Sequence, residues 1–280
     1  MRVFSYGGGV QSTAALVLAA QGKIDYRTFL FCNVGVKAEN PDTLAYVNDV
    51  AMPFAKAHNI ELIELQRTWH KGERAGQAVD LYETLINPKS RTAGGIPVRL
   101  GSGAPGNRSC TVDFKIEVVD RWLKERGAKE QGATVGLGIS LDEYTRARTG
   151  IDPEKPWKAL AYPLLNDVQL PNRATPGITR QDCINIIANA GLPVPPKSSC
   201  YFCPFHTIHV WQEMRNKQPE LFKKACDLED LMRKRSILLG KGDIWFTGKQ
   251  KPLAMVTTEY VQGNLFEDDD QICDSGYCFM

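Results

Sequence analysis

The sequence predicts an α/β fold built on a doubly wound parallel sheet. Over the first 65 residues, short apolar runs alternate with helical stretches in a β-α-β-α-β rhythm, as parallel strands joined by crossover helices require. A glycine cluster, Gly7-Gly8-Gly9, falls between the first strand and the first helix. Further strand-like runs, ATVGLGI at 133–139 and Leu160 to Leu165, follow a helical stretch. At 280 residues the chain is one large domain, or one domain with a small appendage.

Taken in order, Val3 to Tyr6 is a short apolar strand ending in the glycines, and Ser12 to Ala20 has helical composition. TFLFCNV, Thr28 to Val34, is rich in aromatic and β-branched residues and reads as a buried strand. Pro41, with Asn40 as its cap, opens a helix to about His58, and Ile60 to Leu65 is a third strand. Residues 88–109 are rich in Gly, Pro, Ser and Arg, a loop long enough to be functional or disordered. Thr111 to Arg126 is an expected helix carrying Phe114, Ile116, Val118, Val119, Trp122 and Leu123. Thr179 caps a helix to Ala190, with Asp182 three residues on and Gly191 and Pro193 closing it. Trp211 to Leu239 is largely helical with a break near Pro219. The expected divisions are a nucleotide-binding domain over 1–195, a helical region over 196–258, and an acidic flexible tail over 259–280.

Composition excludes several classes. Hydrophobic residues at 43% and charged residues at 24% are ordinary globular values, which rules out wholesale disorder, collagen and coiled coil. No apolar run approaches the ~18 residues of a membrane span. Met1-Arg2 leads straight into a strand-like segment, so no signal peptide is expected and the chain is expected to be cytoplasmic. The net charge of +2 hides an asymmetry: six acidic residues and no Lys or Arg lie in 259–280, and the remainder carries 34 basic against 26 acidic residues. A basic body suits anionic ligands, including nucleotides and nucleic acid, and equally suits an ordinary solvated surface.

Ser5-Tyr6-Gly7-Gly8-Gly9-Val10-Gln11-Ser12-Thr13 has the makings of a phosphate cradle. Glycines let the backbone approach a ligand, the helix start offers free N–H groups, and Ser12 and Thr13 add hydroxyl donors. A Walker A loop would need Gly-Lys before Ser or Thr, and no such lysine is present. A dinucleotide fingerprint wants a third Gly or Ala where Ser12 stands, and an acid where Asn33 ends the second strand. A tight turn with no ligand is the plain alternative.

The segment resembles the pyrophosphate loop of the PP-loop ATP pyrophosphatases, Ser-Gly-Gly-x-Asp-Ser. Gly8, Gly9 and Ser12 match it, while Gly7 replaces the first serine and Gln11 the aspartate. Further segments resemble the phosphoadenylyl-sulfate (PAPS) reductase-like branch of that superfamily. They are Asn40-Pro41-Asp42-Thr43; Arg108-Ser109-Cys110-Thr111 with Lys115; Gly136-Leu137-Gly138-Ile139 followed by Glu143 and Arg146; Tyr162-Pro163-Leu164; and Lys197 to Phe205. The resemblance covers residues 1 to about 215 and rests on the order of the motifs. It implies a sheet of the adenine nucleotide alpha hydrolase-like type, with a small helical Cys-containing C-terminal region. It also implies ATP or an adenylyl sulfate, with Mg²⁺, held by Ser5, Gly7, Gly8, Gly9, Gln11, Ser12, Thr13, Asn33, Gly138, Glu143 and Arg146. Arg108 and Lys115 are cations suited to phosphate or sulfate, although surface ion pairs account for such residues equally well. Glu143 and Arg146 are spaced to pair on one helical turn.

The chain has eight cysteines. Cys200-x-x-Cys203 is a two-thiolate clip that suits a metal or a cluster. The resemblance adds Cys110 at the same end of the sheet. A [4Fe-4S] cluster is the first expectation, with Cys183 or a tail cysteine as fourth ligand. Zinc with His206 or His209, and plain reduced thiols, are the rivals. Cys32 and Cys226 read as core. Cys273 and Cys278 in the tail are expected as a swinging nucleophile, a sulfur carrier or cluster ligands, or as part of an inert end.

Three functions follow as expectations. The first is an enzyme that adenylates an acceptor with release of pyrophosphate and then transfers sulfur, with tRNA or DNA as acceptor and a sulfur-donor protein as partner. The second is a sulfonucleotide reductase using a tail cysteine. The third is a nucleotide-binding sensor with a structural metal.

Overall fold

The computed structural model describes residues 1–90, 95–148, 152–171 and 175–259. Among them lie strands β1 (Arg2–Tyr6), β2 (Thr28–Asn33), β3 (Glu61–Gln66), β4 (Arg99–Leu100), β5 (Ala133–Leu137), β6 (Lys158–Ala161) and β7 (Ile244–Trp245). Five form one sheet in the order β3-β2-β1-β5-β6, and every pairing in it is parallel. β4 and β7 form a separate antiparallel pair. The predicted α/β class with its parallel sheet is therefore the observed one. The chain runs from β1 outward through β2 and β3, then returns to the other side of β1 for β5 and β6. That reversal opens a crevice at the carboxyl ends of β1 and β5, where ligands bind in such sheets.

Both sheet faces are covered, because successive strand residues point to opposite sides. Phe4, Tyr6, Phe29 and Phe31 pack under helix α1 (Val10–Ala20) and the helix Arg180–Asn189. Val3, Leu30, Cys32, Val135 and Leu137 pack under the helix Glu117–Lys124. Gly136 makes room for the first cluster: a Cβ there would lie 2.8 Å from Phe4 and 2.9 Å from Tyr26.

The helix starts follow their caps. The Asn40 side chain accepts from Asp42 N at 2.9 Å, and Pro41 begins the helix Pro41–Tyr46. That helix continues through a wide turn at Val47–Ala51 into Met52–Ala57. Thr179 and Asp182 form a reciprocal capping box at 2.7 and 3.2 Å. The break expected near Pro219 separates Ile208–Lys217 from Pro219–Leu238 at Gln218. The strand expected to reach Leu165 stops at Ala161, because Pro163 opens a helical turn, Pro163–Asn166. Beyond β1 to β3 the chain also forms the helix Leu81–Ile86, capped by Asp80 at 3.3 Å.

A second core binds remote segments together. Val34, Leu81, Ile96 and Phe114 meet Phe202, Trp211, Met232, Phe246 and Leu253. Residues 196–258 thus share a core with 79–114. Glu229 closes it: its two carboxylate oxygens accept from Phe246 N and Leu253 N, each at 2.7 Å. Burial pushes this carboxyl up to about 7. Among the described residues no helix is long and apolar enough to cross a membrane.

Candidate functional site

The glycine loop spans the end of β1 and the start of α1, at the mouth of the crevice. Gly8 has φ +76°, and a Cβ there would meet Thr43 Cγ2 at 3.0 Å, so glycine is required on both counts. Gly9 precedes α1 and has no side chain with which to cap the N–H groups of that first turn. Its first-turn N–H groups are therefore left to a ligand or solvent. Gly138, just beyond β5, packs against this turn: a Cβ there would lie 3.3 Å from Ser12 N. A side chain at 138 would fill the cradle, and the nearest atom to a Cβ on Gly7 is Ser12 Oγ at 4.0 Å. The buried Ser5 hydroxyl makes no hydrogen bond among the described residues.

Not every expected donor faces that space. Ser12 Oγ turns back on the loop, accepting from Gly9 N at 3.2 Å and donating to Gly9 O at 3.0 Å. The Thr13 hydroxyl is fully buried against Tyr6 OH at 3.0 Å, so the structure engages it inside the fold. Asn33 likewise holds the sheet end together: its amide donates to Glu64 at 2.8 Å and its oxygen accepts from Gly35 N at 2.8 Å.

Gln11, Glu143 and Arg146 form one buried polar group over the first turn of α1. Gln11 Nε2 donates to Glu143 Oε1 at 3.0 Å, and Arg146 Nη1 donates to Glu143 Oε2. Gln11 and Glu143 are each 8% exposed. Burial raises the Glu143 carboxyl to about 7 against the opposing pull of Arg146. The group links β5 to the cradle.

A cavity is lined by Cys110, Cys200 and Cys203, with Lys115, Thr111, Pro204 and the apolar Val34, Leu81, Ile96 and Phe202. Three thiols from positions 90 residues apart in the chain thus share one space. Cys203 N donates to Cys200 O at 3.1 Å, forming the turn of the clip. His206 Nε2 is 3.0 Å from the same carbonyl, which engages this imidazole in holding the clip. His209 is exposed on the helix Ile208–Lys217. The clip docks on the loop after β2 through an antiparallel bridge between Cys200 and Glu39, with Tyr201 N 3.3 Å from Ala38 O. Two residues before Cys200, Ser198 faces the glycine loop: its Oγ is 3.0 Å from where a Gly9 Cβ would stand.

Glu39 is a site residue that the sequence reading missed. It is 4% exposed, and burial raises its carboxyl while Lys115 and the Asn40 and Val34 N–H groups lower it. Burial also raises the Cys200 thiol, with Glu39 adding to the effect and Lys115 opposing it. Lys115 is thus the cation that faces the thiol cavity. Arg108 lies outside it, with its guanidinium 5.4 Å from the centre of the Phe205 ring.

Cys183 is not brought to the other thiols. It is fully buried in the core beneath α1, where burial pushes it up to about 12. Its helix carries it to the sheet face opposite Val118 and Leu123, so it supplies no ligand to this cavity. Cys32 is core as expected: its thiol donates to Lys115 O at 3.7 Å, and burial pushes it up to about 12. Cys273 and Cys278 lie outside the described residues.

Among the described residues no three His, Cys, Asp or Glu side chains converge so that they could hold one ion. A tetrahedral zinc draws its thiolates to about 4 Å from one another. Cys110, Cys200 and Cys203 bring three thiols to one cavity, the donor type that an iron–sulfur cluster takes.

No protein-family model matches the chain, and no curated protein matches it in sequence. Among solved structures, the U34-tRNA thiolase NcsA from Methanococcus maripaludis with its [4Fe-4S] cluster aligns at a TM-score of 0.41 and 12% identity. The alignment covers 94% of this chain and 82% of that one. A likeness at that level carries no function across. The class that the fold itself defines is an α/β protein with a parallel sheet and a glycine loop at its switch point.

Proposed function

We propose that this chain is a PP-loop enzyme of the PAPS reductase-like branch. In this reading it binds ATP, adenylates a nucleic-acid acceptor with release of pyrophosphate, and transfers sulfur with the help of an iron–sulfur cluster. One observation carries the reading. A single short segment, 198–203, touches the glycine loop at Gly9 and lines the thiol cavity through Cys200 and Cys203. Phosphate cradle and thiols are therefore neighbours.

The chain's own residues have definite parts. The N–H groups at the start of α1 bind the phosphates, and the bare Cα of Gly138 keeps them accessible. Gln11, Glu143 and Arg146 hold that turn against β5. An acceptor oxygen attacks the α-phosphorus, the bond to the bridging oxygen breaks, and pyrophosphate leaves with the electron pair. Sulfide-level sulfur (HS⁻) delivered by a sulfur-donor protein then attacks the activated carbon, the carbon–oxygen bond breaks, and AMP leaves with its electron pair. Cys110, Cys200 and Cys203 would hold the cluster, and the ammonium of Lys115 favours their thiolate forms. When bound, the cluster supplies an iron open to sulfide, and Mg²⁺ supplies charge neutralisation at the phosphates.

The test is anaerobic purification with quantification of iron, acid-labile sulfide and zinc, for wild type and Cys200→Ala. About four irons and four sulfides per chain, absent from the variant, are expected. ATP-to-pyrophosphate turnover is then assayed with and without tRNA or DNA. Stoichiometric zinc without iron, or iron content unaffected by Cys200→Ala, would contradict the proposal.

A further inference from the structure

Between β3 and the helix Leu81–Ile86 the chain leaves the body as a narrow arm. Its base is pinned by Val79 N to Arg67 O at 2.8 Å and by a Thr68–Ala78 bridge. Higher up, Trp69 N donates to Gln77 O at 2.9 Å, and Gly76 N donates to Trp69 O at 2.8 Å. Gly72 and Gly76, both at positive φ, turn the tip. Every residue from 69 to 78 is exposed.

From Trp69 to Ala78 the side chains of this arm enter none of the three cores. Trp69 is 37% exposed and belongs to none of the three cores. The Arg74 guanidinium lies 4.1 Å from the centre of its ring. Lys71 is exposed beside them, Arg121 donates to His70 Nδ1 at 2.9 Å, and Glu73 is the one carboxylate in the tip. An indole in water is normally buried on folding. Here it is held out on a hydrogen-bonded hairpin, flanked by cations. That combination suits a polynucleotide strand, whose bases stack on the indole while its phosphates meet the cations.

The arm's C-terminal root adjoins the site. It returns to the body where Leu81 N donates to Val34 O at 2.9 Å, and both residues line the thiol cavity. We propose that the arm over residues 66–80 is a docking element for the unpaired region of a nucleic acid, with Trp69 stacking a base and Lys71 and Arg74 contacting phosphates. The inference deepens the reading of nucleic acid as acceptor and rests on it. An unpaired strand is specified because a base within a duplex has no free face to offer the indole.

The experiment measures binding of labelled single-stranded RNA and DNA of one sequence, by fluorescence anisotropy over a range of salt. Wild type, Trp69→Ala, the double variant Lys71→Ala/Arg74→Ala and a distant control, Lys223→Ala, are compared. Melting temperature and iron content are measured on each as checks of the fold. Trp69→Ala is expected to weaken binding about 10-fold. The double variant is expected to lower the slope of log affinity against log salt by about 1.4, near 0.7 for each phosphate no longer neutralised. Lys223→Ala is expected to leave both unchanged. Arm variants that bind like wild type, or a control that weakens binding equally, would overturn the arm and leave the sulfur-transfer reading intact. A wild type that binds neither strand would overturn both the arm and the nucleic-acid acceptor. Its iron content and pyrophosphate release would then show whether the remaining chemistry stands.

Discussion

The contact between Gly9 and Ser198 joins the glycine loop to the cysteine clip, and it can be tested by a two-residue cycle. Gly9 has φ −103° and ψ −175°, extended backbone that alanine adopts without strain. The obstacle to a side chain is Ser198 alone: the new Cβ would lie 3.0 Å from its Oγ but 3.8 Å from its Cβ. The first distance forces a shift of several tenths of an ångström, and the second is an ordinary contact. Gly9→Ala is therefore expected to lose about 1–2 kcal/mol to overpacking, offset in part by about 0.4–1 kcal/mol from a stiffer unfolded chain. Ser198→Ala alone is expected to lie within about 0.5 kcal/mol of wild type. In the double variant the clash is gone and the unfolded-state gain remains, so stability returns to wild type or slightly above. The interaction energy across the cycle is then about 1–2 kcal/mol. Urea unfolding at fixed pH measures it, provided the four proteins share one m-value. Iron retention in the same four proteins reports whether the push reaches Cys200, two residues on. A double variant no more stable than Gly9→Ala would refute the account of this contact.

Three further outcomes follow from the same geometry. Gly8→Ala combines a left-handed backbone with a 3.0 Å approach to Thr43 Cγ2; it is expected to lose at least about 2 kcal/mol, of which Thr43→Ser restores only the steric part because the dihedral cost of about 1–2 kcal/mol persists. Full recovery in urea unfolding would contradict that. Cys183→Ala is expected to keep its iron while losing about 1 kcal/mol of stability from a buried sulfur, whereas Cys110→Ala loses iron as Cys200→Ala does; elemental analysis decides. Glu229 and Glu143, both raised to about 7 chiefly by burial, retain protons in the folded state that the unfolded chain has released. Their contribution is full below about pH 4.5 and is lost as pH rises through about 7, amounting to at most about 3 kcal/mol for Glu229. Glu229→Gln is expected to flatten its share of the fall between pH 5 and 7.5, and an unchanged slope in unfolding free energy would refute the assignment.

How much of this was legible depended on the range of the forces involved. β1, β2 and β5 could be read because a strand buried on both faces is a near-continuous apolar run, and the edge strand β3, half-exposed, was read from Leu62, Ile63 and Leu65. The capped helices after Asn40 and after Thr179 could be read because capping is settled within four residues. The end of β6 could not, since Leu160 to Leu165 is apolar throughout and only Pro163 marks the change from strand to helical turn. β4 and β7 left no signal at all. Each is two residues long, and Arg99 and Trp245 become strand only by pairing with each other.

The same division runs through the site. Gly8, Gly9 and the Cys-x-x-Cys clip announce themselves by residue type. Thr13 and Asn33 look like ligand donors by their position, yet both are engaged internally. A buried Tyr6 hydroxyl needs a partner, which Thr13 provides, and the turn after β2 needs its N–H groups held, which Asn33 provides. Glu39 shows the converse. Before a capped helix an acid is unremarkable, and nothing nearby in the chain predicts that Cys200, 161 residues later, will bridge to it and bury it. Its carboxyl and the Lys115 ammonium then act on the Cys200 thiol in opposite directions. Residue type named the donors, but tertiary contact decided which of them face a ligand. Variants at Glu39 and Ser198 therefore test the site more sharply than further variants in the glycine loop.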